Sequence, residues 1–253
     1  MISLLQLDWP LVFAVLSIML FAGLVHGTLG LGFPMVATPM LAVFFDVRSA
    51  ILLTLLPTVA VNIASIWNSR HALASVQRFL PLTGFVLIGS IVGAYILARV
   101  DPNPFRLVLA GLIMLYLWTH LSGRVPRQWI DTNLIAAMGL FGVLAGLAGG
   151  TTNVMVAILI VFFLSLDVPR ATMVPVLNTC FLIGKISQIV VLSIVGLVSF
   201  TLFYETAPLA LTAVLALLFG QRLREKIAID VYRRILQGLL VVLASILLVQ
   251  FFY

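Results

Sequence analysis

Charge is what this chain lacks most. Only 9% of its 253 residues are Asp, Glu, Lys or Arg, against roughly 25% in a soluble domain. Hydrophobic residues make up 63%, and the mean hydropathy is +1.25. The few charges present cannot cover a water-facing surface, so a soluble globular fold is excluded and a polytopic membrane protein remains. Cysteine is nearly missing too: the single Cys180 rules out an intramolecular disulfide framework and a cysteine zinc site. His26, His71 and His120 stand far apart without an HExxH spacing, and no P-loop occurs. Neither a zinc protease nor ATP-driven transport by this chain alone has a sequence basis. The acids cluster at the ends of apolar runs, never as an intramembrane pair. The chain reads as a non-enzyme with no metal and no cofactor.

The bases behind the net charge of +6 do not form a nucleic-acid surface. They punctuate apolar runs instead of gathering with aromatics, and in a membrane protein they report orientation. The first residues, MISLLQLDWP, have no basic n-region, and no small-residue cleavage site follows. The first apolar run is therefore expected to belong to the mature chain.

What is present is a series of spans. Crossing the hydrocarbon takes about 20 apolar residues. Uncharged runs of that order lie between Arg48 and Arg70, between Arg78 and Arg99, and between Arg106 and Arg124. The run from Ala171 beyond Phe203 divides into two helices near Gly196–Ser199, and the last span is Ile235–Tyr253. Two segments are too long for one crossing. Pro10–Phe45 holds 36 uncharged residues, His26 counted neutral, and Thr132–Leu166 holds 35, whereas one straight helix of that length would run about 54 Å. Each carries glycines near its middle, GTLGLGFPMVATP at 27–39 and GLAGGTTNVMVAI at 146–158. Irregular backbone at membrane depth survives only when buried in protein or lining a wet cavity. Each segment is expected to turn at its glycines, either returning as a hairpin or continuing as a broken helix.

The two halves resemble each other. FFDVRSAILL (Phe44–Leu53) aligns with SLDVPRATMV (Ser165–Val174), with Asp46 and Asp167 as expected helix N-caps and Pro169 inside the first turn. A hairpin plus three spans is an odd unit, so two copies must be inverted, as recurs in transporters. The expected fold is an all-α polytopic membrane protein with two inverted repeats, each a broken or re-entrant helical hairpin plus three transmembrane helices. Its divisions are 1–121, a cytoplasmic linker 122–131, and 132–253. With both segments as hairpins, Arg70, Arg78, Arg124, Arg127, Arg170, Arg222, Arg224, Lys226, Arg233 and Arg234 share one face, and Arg48, Arg99 and Arg106 the other. The positive-inside rule then puts both termini in the periplasm, outside the inner membrane.

The polar residues inside the spans point to a small anion. Thr58, Asn62, Ser65 and Ser69 form one helical stripe, read either as helix-to-helix hydrogen bonding or as a cavity lining. Asn178, Lys185 and Gln188 share another face, and Lys185 is the one charge well inside a span. An intramembrane charge is a functional candidate, with snorkelling as the alternative. Helices starting after the glycine turns would aim N–H groups and positive dipole ends inward. Candidate substrate-binding residues are therefore Gly30, Gly32, Gly149, Gly150, Thr151, Thr152, Asn153, Asn62, Asn178 and Lys185, with His26 as a proton-coupling candidate. The partners this implies are a small anionic substrate and membrane lipid, with a homodimer left open. A carrier for another organic acid is one alternative function, and an anion channel is another, although charged rings or filter loops are not visible.

The stretch GTLGLGFPMVATPML (Gly27–Leu41), closing on Pro39 and Leu41, and the second cluster GLAGGTTNV (Gly146–Val154) resemble the glycine-rich segments of the TauE/SafE family of sulfite and organosulfonate exporters. The likeness extends over essentially the whole chain in length, two-half layout and span pattern. It implies export of small sulfur-containing anions such as sulfite, sulfoacetate or thiosulfate. The residues by themselves lead to "small anion" and not to sulfur.

Overall fold

The computed structural model describes residues 8–69, 74–122, 127–223 and 229–252, and no strand occurs among them. The first half contains α1 (Trp9–Leu29), α2 (Phe33–Ala42), α3 (Val47–Asn68), the short α4 (Ala74–Gln77), α5 (Leu80–Arg99) and α6 (Pro104–Ser122). After α7 (Arg127–Thr132), the second half contains α8 (Leu134–Thr152), α9 (Val156–Ser165), α10 (Arg170–Ile194), α11 (Phe200–Leu223) and α12 (Ile229–Phe252). Among the described residues α1, α3, α5, α8, α10 and α11 are long and apolar enough to cross a membrane, while α6 and α12 hold shorter apolar stretches. Large apolar side chains such as Phe13, Leu87, Ile88, Leu140, Val190 and Leu211 face outward, a surface suited to lipid and hostile to water.

Both long uncharged segments fold back. The first turns where Gly30 (φ 79°) and Gly32 (φ 104°) take left-handed backbone, which only glycine enters freely. The Gly30 N–H closes α1 by bonding to the His26 carbonyl. α2 then runs back until the Val43 carbonyl accepts from Gln250 of α12 and the Phe45 carbonyl from Arg106 of α6. The second segment also reverses, but not at its glycines. Gly149 and Gly150 stay helical inside α8, and the turn falls on Asn153 (φ 66°), a residue type whose short polar side chain tolerates this conformation. α9 returns far enough for Phe162 and Phe163 to meet Phe79, just before α5, edge-on at 6.3 and 5.3 Å.

Several of the glycines that do not turn the chain hold helices together. α1 lies parallel to α11, with Gly23 against Ala213 and Gly27 against Leu217 and Gly220; α5 lies parallel to α8, with Gly89 against Val143 and Gly93 against Leu147 and Gly150. A Cβ on Gly27 would fall 2.2 Å from the Leu217 carbonyl oxygen. Lipid supplies no hydrophobic force between helices, so such close backbone approach is what binds them.

Hydrogen bonds define the two ends of the bundle. At the near end α3 and α11 finish together, Asn68 Nδ2 donating to Gln221 Oε1 at 2.5 Å. Arg170, which opens α10, donates there to the Leu29 carbonyl. At the far end Arg48 donates to the Leu97 and Val100 carbonyls, 2.9 and 2.5 Å, capping α5. The first hairpin therefore opens to the far end and the second to the near end, with both tips inside.

The caps match expectation in one half. Asp46 accepts from the Ser49 N–H at 3.0 Å and so caps α3. In α10 the N-cap position falls on Pro169, which was expected inside the first turn, and Asp167 lies two residues before it with φ 53°. Proline disfavours helical backbone in the residue before it, here Val168, and α10 begins only after Pro169. The expected break near Gly196–Ser199 is present, with Gly196 at φ 77°. Of the expected linker 122–131, residues 123–126 lie outside the described residues, as do Arg70, His71, Arg224 and Lys226.

Candidate functional site

Where the hairpin tips meet α3 and α10, the bundle interior is polar. Lys185 of α10 is only 4% exposed. Its Nζ donates to Asn153 Oδ1 and to Gln188 Oε1, each at 2.5 Å. The ammonium turns inward, so it does not snorkel. Both acceptors are neutral amide oxygens. Gln188 is itself fixed by donating Nε2 to the Gly150 carbonyl at 2.8 Å. That carbonyl belongs to the last turn of α8, which leaves its acceptors without intrahelical partners. Asn153 uses its other amide end as well, donating Nδ2 to Thr38 Oγ1 of α2 at 3.0 Å and to Thr54 Oγ1 of α3 at 2.9 Å. One side chain at the second tip therefore joins the first hairpin, α3 and the buried cation. Pro34, Thr58, Met155, Phe181 and Gly184 close around Lys185 and Asn153, leaving a cavity of about 10 Å³, about one water's worth.

A second cluster lies nearer the near end. His26 Nδ1 accepts the Phe33 N–H at 3.2 Å, and Nε2 stands 2.9 Å from Ser65 Oγ. Because Nδ1 accepts, the ring proton is on Nε2 and the imidazole is neutral. Asn178, beside this ring, donates Nδ2 to the Gly30 carbonyl at 3.0 Å and the Val174 carbonyl at 2.9 Å. Next to the cluster is a vestibule of about 560 Å³ lined by Gly27, Gly30, Ser65, Asn68, Ser69, Val174 and Gln221.

The structure thus divides the sequence candidates. Gly149, Asn153 and Lys185 line the small cavity, and the Gly150 carbonyl fixes Gln188, the partner of Lys185. His26, Gly30 and Asn178 form the cluster beside the vestibule. Asn62 sits on α3 between Thr58 and Ser65, fully buried. A Cβ on Gly32 at the first tip would have no atom within 4 Å. Thr151 and Thr152 donate their hydroxyls to the Leu147 and Ala148 carbonyls of their own helix, so those protons are not offered to the cavity. The α2 N-terminus also offers less than the sequence suggests, since His26 takes the Phe33 N–H and Pro34 has none. Thr38, Thr54 and Gln188 were not among the expected site residues. Gln188 was legible from its i+3 spacing to Lys185. Thr38 and Thr54 carry no such signal, because only the tertiary fold brings them to Asn153.

A family model described as Sulfite exporter TauE/SafE matches residues 15–247. No curated protein and no solved structure matches the chain.

Proposed function

The chain belongs to the sulfite exporter TauE/SafE family, and on that premise we propose that it exports a small sulfur-containing anion, sulfite or a short organosulfonate such as sulfoacetate, across the inner membrane. One observation carries this reading: the buried Lys185 ammonium is held by two amide oxygens and, among the described residues, by no carboxylate. A buried cation without a counter-charge is costly, by several kcal/mol, and an oxyanion supplies what is missing. Asn153 and Gln188 hold the ammonium in place, while the Thr58 hydroxyl adds a neutral donor at the same cavity. His26 is the group placed to couple protons, because a proton on Nδ1 would displace the Phe33 N–H and loosen the first tip.

The test is equilibrium binding of sulfite, sulfoacetate, acetate and malonate to the purified protein, followed by flux in proteoliposomes. Tighter binding of the sulfur oxyanions with saturable flux supports the proposal. A carboxylate preference would instead indicate a carrier for another organic acid, and non-saturating flux a channel.

The same reading takes the halves as inverted repeats. Its support is that the partnerships swap between them: α1 packs on α11 and α8 on α5, and α6 packs against α12. The tips, capped by left-handed Gly30 and Asn153, enter from opposite ends. The near end, with Arg78, Arg170 and Arg222, is then cytoplasmic by the positive-inside rule. Cysteines placed near residue 3 and at residue 253 should be labelled by an impermeant maleimide in intact cells. Labelling only after permeabilisation would overturn this topology.

A further inference from the structure

The stripe of polar residues on α3 reaches from the vestibule to the lysine cavity. Ser69 and Ser65 line the vestibule, Thr58 lines the cavity at Lys185, and Asn62 lies one turn from Thr58 and one from Ser65 on the same face. Asn62 has no exposed surface. Neither its Nδ2 nor its Oδ1 has a hydrogen-bond partner, and the Thr58 hydroxyl has none either. Buried amides are almost always paired, because an unpaired donor or acceptor costs about 1–3 kcal/mol. Of the five such side-chain atoms among the described residues, three fall in sequence along one face of α3 between two cavities, the others being Asn178 Oδ1 on α10 and Gln250 Oε1 on α12. The opposing face of α10 repeats the order, with Val174 at the vestibule and Lys185 at the cavity.

We infer that Asn62 is a transit station for the anion, a second and weaker binding point between the near-end vestibule and Lys185. The inference rests on the proposed anion transport. The chemistry fits a passage. Asn62 Nδ2 donates to an anion oxygen, and Oδ1 accepts from a protonated oxyanion or an accompanying water. An amide carries no charge, so it lowers the barrier without trapping the ion. Conduction needs sites that admit the ion yet let it leave. The full charge at Lys185 provides the holding site, and the α3 stripe provides the approach. The near end is where this approach opens, since Asn68 and Gln221 also line the vestibule.

The experiment separates passage from holding. Sulfite is the probe, with binding measured at equilibrium on purified protein and flux in proteoliposomes. Asn62→Leu, close to isosteric, should lower flux by about ten- to hundredfold, the worth of a hydrogen bond to a charged group. Sulfite affinity should stay within about twofold, because the Lys185 contacts remain. Asn62→Ser, which keeps a donor, should retain most of the flux. Wild-type flux in Asn62→Leu overturns the inference, and so does an equal loss of affinity and flux, which would make Asn62 part of the lysine site. If the leucine variant does not fold, Asn62→Cys in a Cys180→Ala background decides. A small hydrophilic methanethiosulfonate should modify it from the near end, and an unreactive thiol would mean that Asn62 is sealed in packing. If wild-type protein neither binds nor moves sulfite, the functional proposal fails, and the cysteine result alone judges whether a polar route exists.

Discussion

Replacing Lys185 with alanine should weaken sulfite binding by about 2–5 kcal/mol, roughly thirtyfold to several thousandfold in Kd, the cost of removing one partner of a buried charge pair. Among the described residues the ammonium is the only positive charge lining the cavity, and Asn153 and Gln188 present oxygens that repel an anion once the cation is gone. Lys185→Arg should recover binding only in part. A guanidinium is a planar fork rather than a point charge, so it would not present its charge to the anion from the position that the Asn153 and Gln188 oxygens fix for the ammonium. Lys185→Met gives the most discriminating readout. It removes the charge but keeps the length, so a loss of binding in this variant reports the missing ammonium rather than lost packing. Added sulfite should raise the wild-type Tm and leave that of the Met variant unchanged. Wild-type affinity in either the Ala or the Met variant would remove Lys185 from the site.

The second large effect concerns stability. Gly150→Val should prevent α8 from seating on α5, because a Cβ there meets the Ser90 carbonyl oxygen at 2.6 Å and the Ala94 nitrogen at 2.8 Å. Both are backbone atoms that cannot rotate away. Gly150→Ala should already cost about 1–3 kcal/mol as overpacking, and valine should abolish recovery of folded protein. The same shift would carry away the Gly150 carbonyl that orients Gln188, so any surviving protein should also bind sulfite poorly. Gly84→Ala and Gly111→Ala supply the control. Both positions are helical with open space where a Cβ would go, and alanine should raise stability by about 0.5–1 kcal/mol through helix propensity. Thermal unfolding in detergent measures all four variants. A Gly150→Val protein with wild-type Tm would mean that the α5–α8 contact is looser than described.

Much of the site was legible before the fold was seen. Lys185 stood out because a charge within an apolar run has few bland explanations, and its inward placement removes snorkelling as the alternative. Asn178, Lys185 and Gln188 shared a face by spacing alone. The reading of the glycines was half right. Gly30 and Gly32 turn the chain, but Gly149 and Gly150 do not. Composition cannot distinguish a glycine needed for positive φ from one needed for close packing, because both uses reward the missing Cβ. Asn153 took the turn in the second half, and no glycine rule would have found it. The N-cap position of α10 fell on Pro169 instead of Asp167, a local shift of the helix start that the alignment with Asp46 concealed.

The sequence by itself determined the solvent, the helical class and the overlong segments that must break. Those follow from the low charge content, from the length of hydrocarbon to be crossed, and from the need to satisfy every backbone polar group within it. Tertiary structure alone decided which ends meet. It brought Thr38 and Thr54 to Asn153, set Asn153 against Lys185, and ran the α3 stripe between two cavities. Such meetings depend on helices parallel or antiparallel across the whole chain, with backbones separated by no more than a glycine's width. Spacing along one helix says which residues share a face. Only the packing of neighbouring helices says what that face meets.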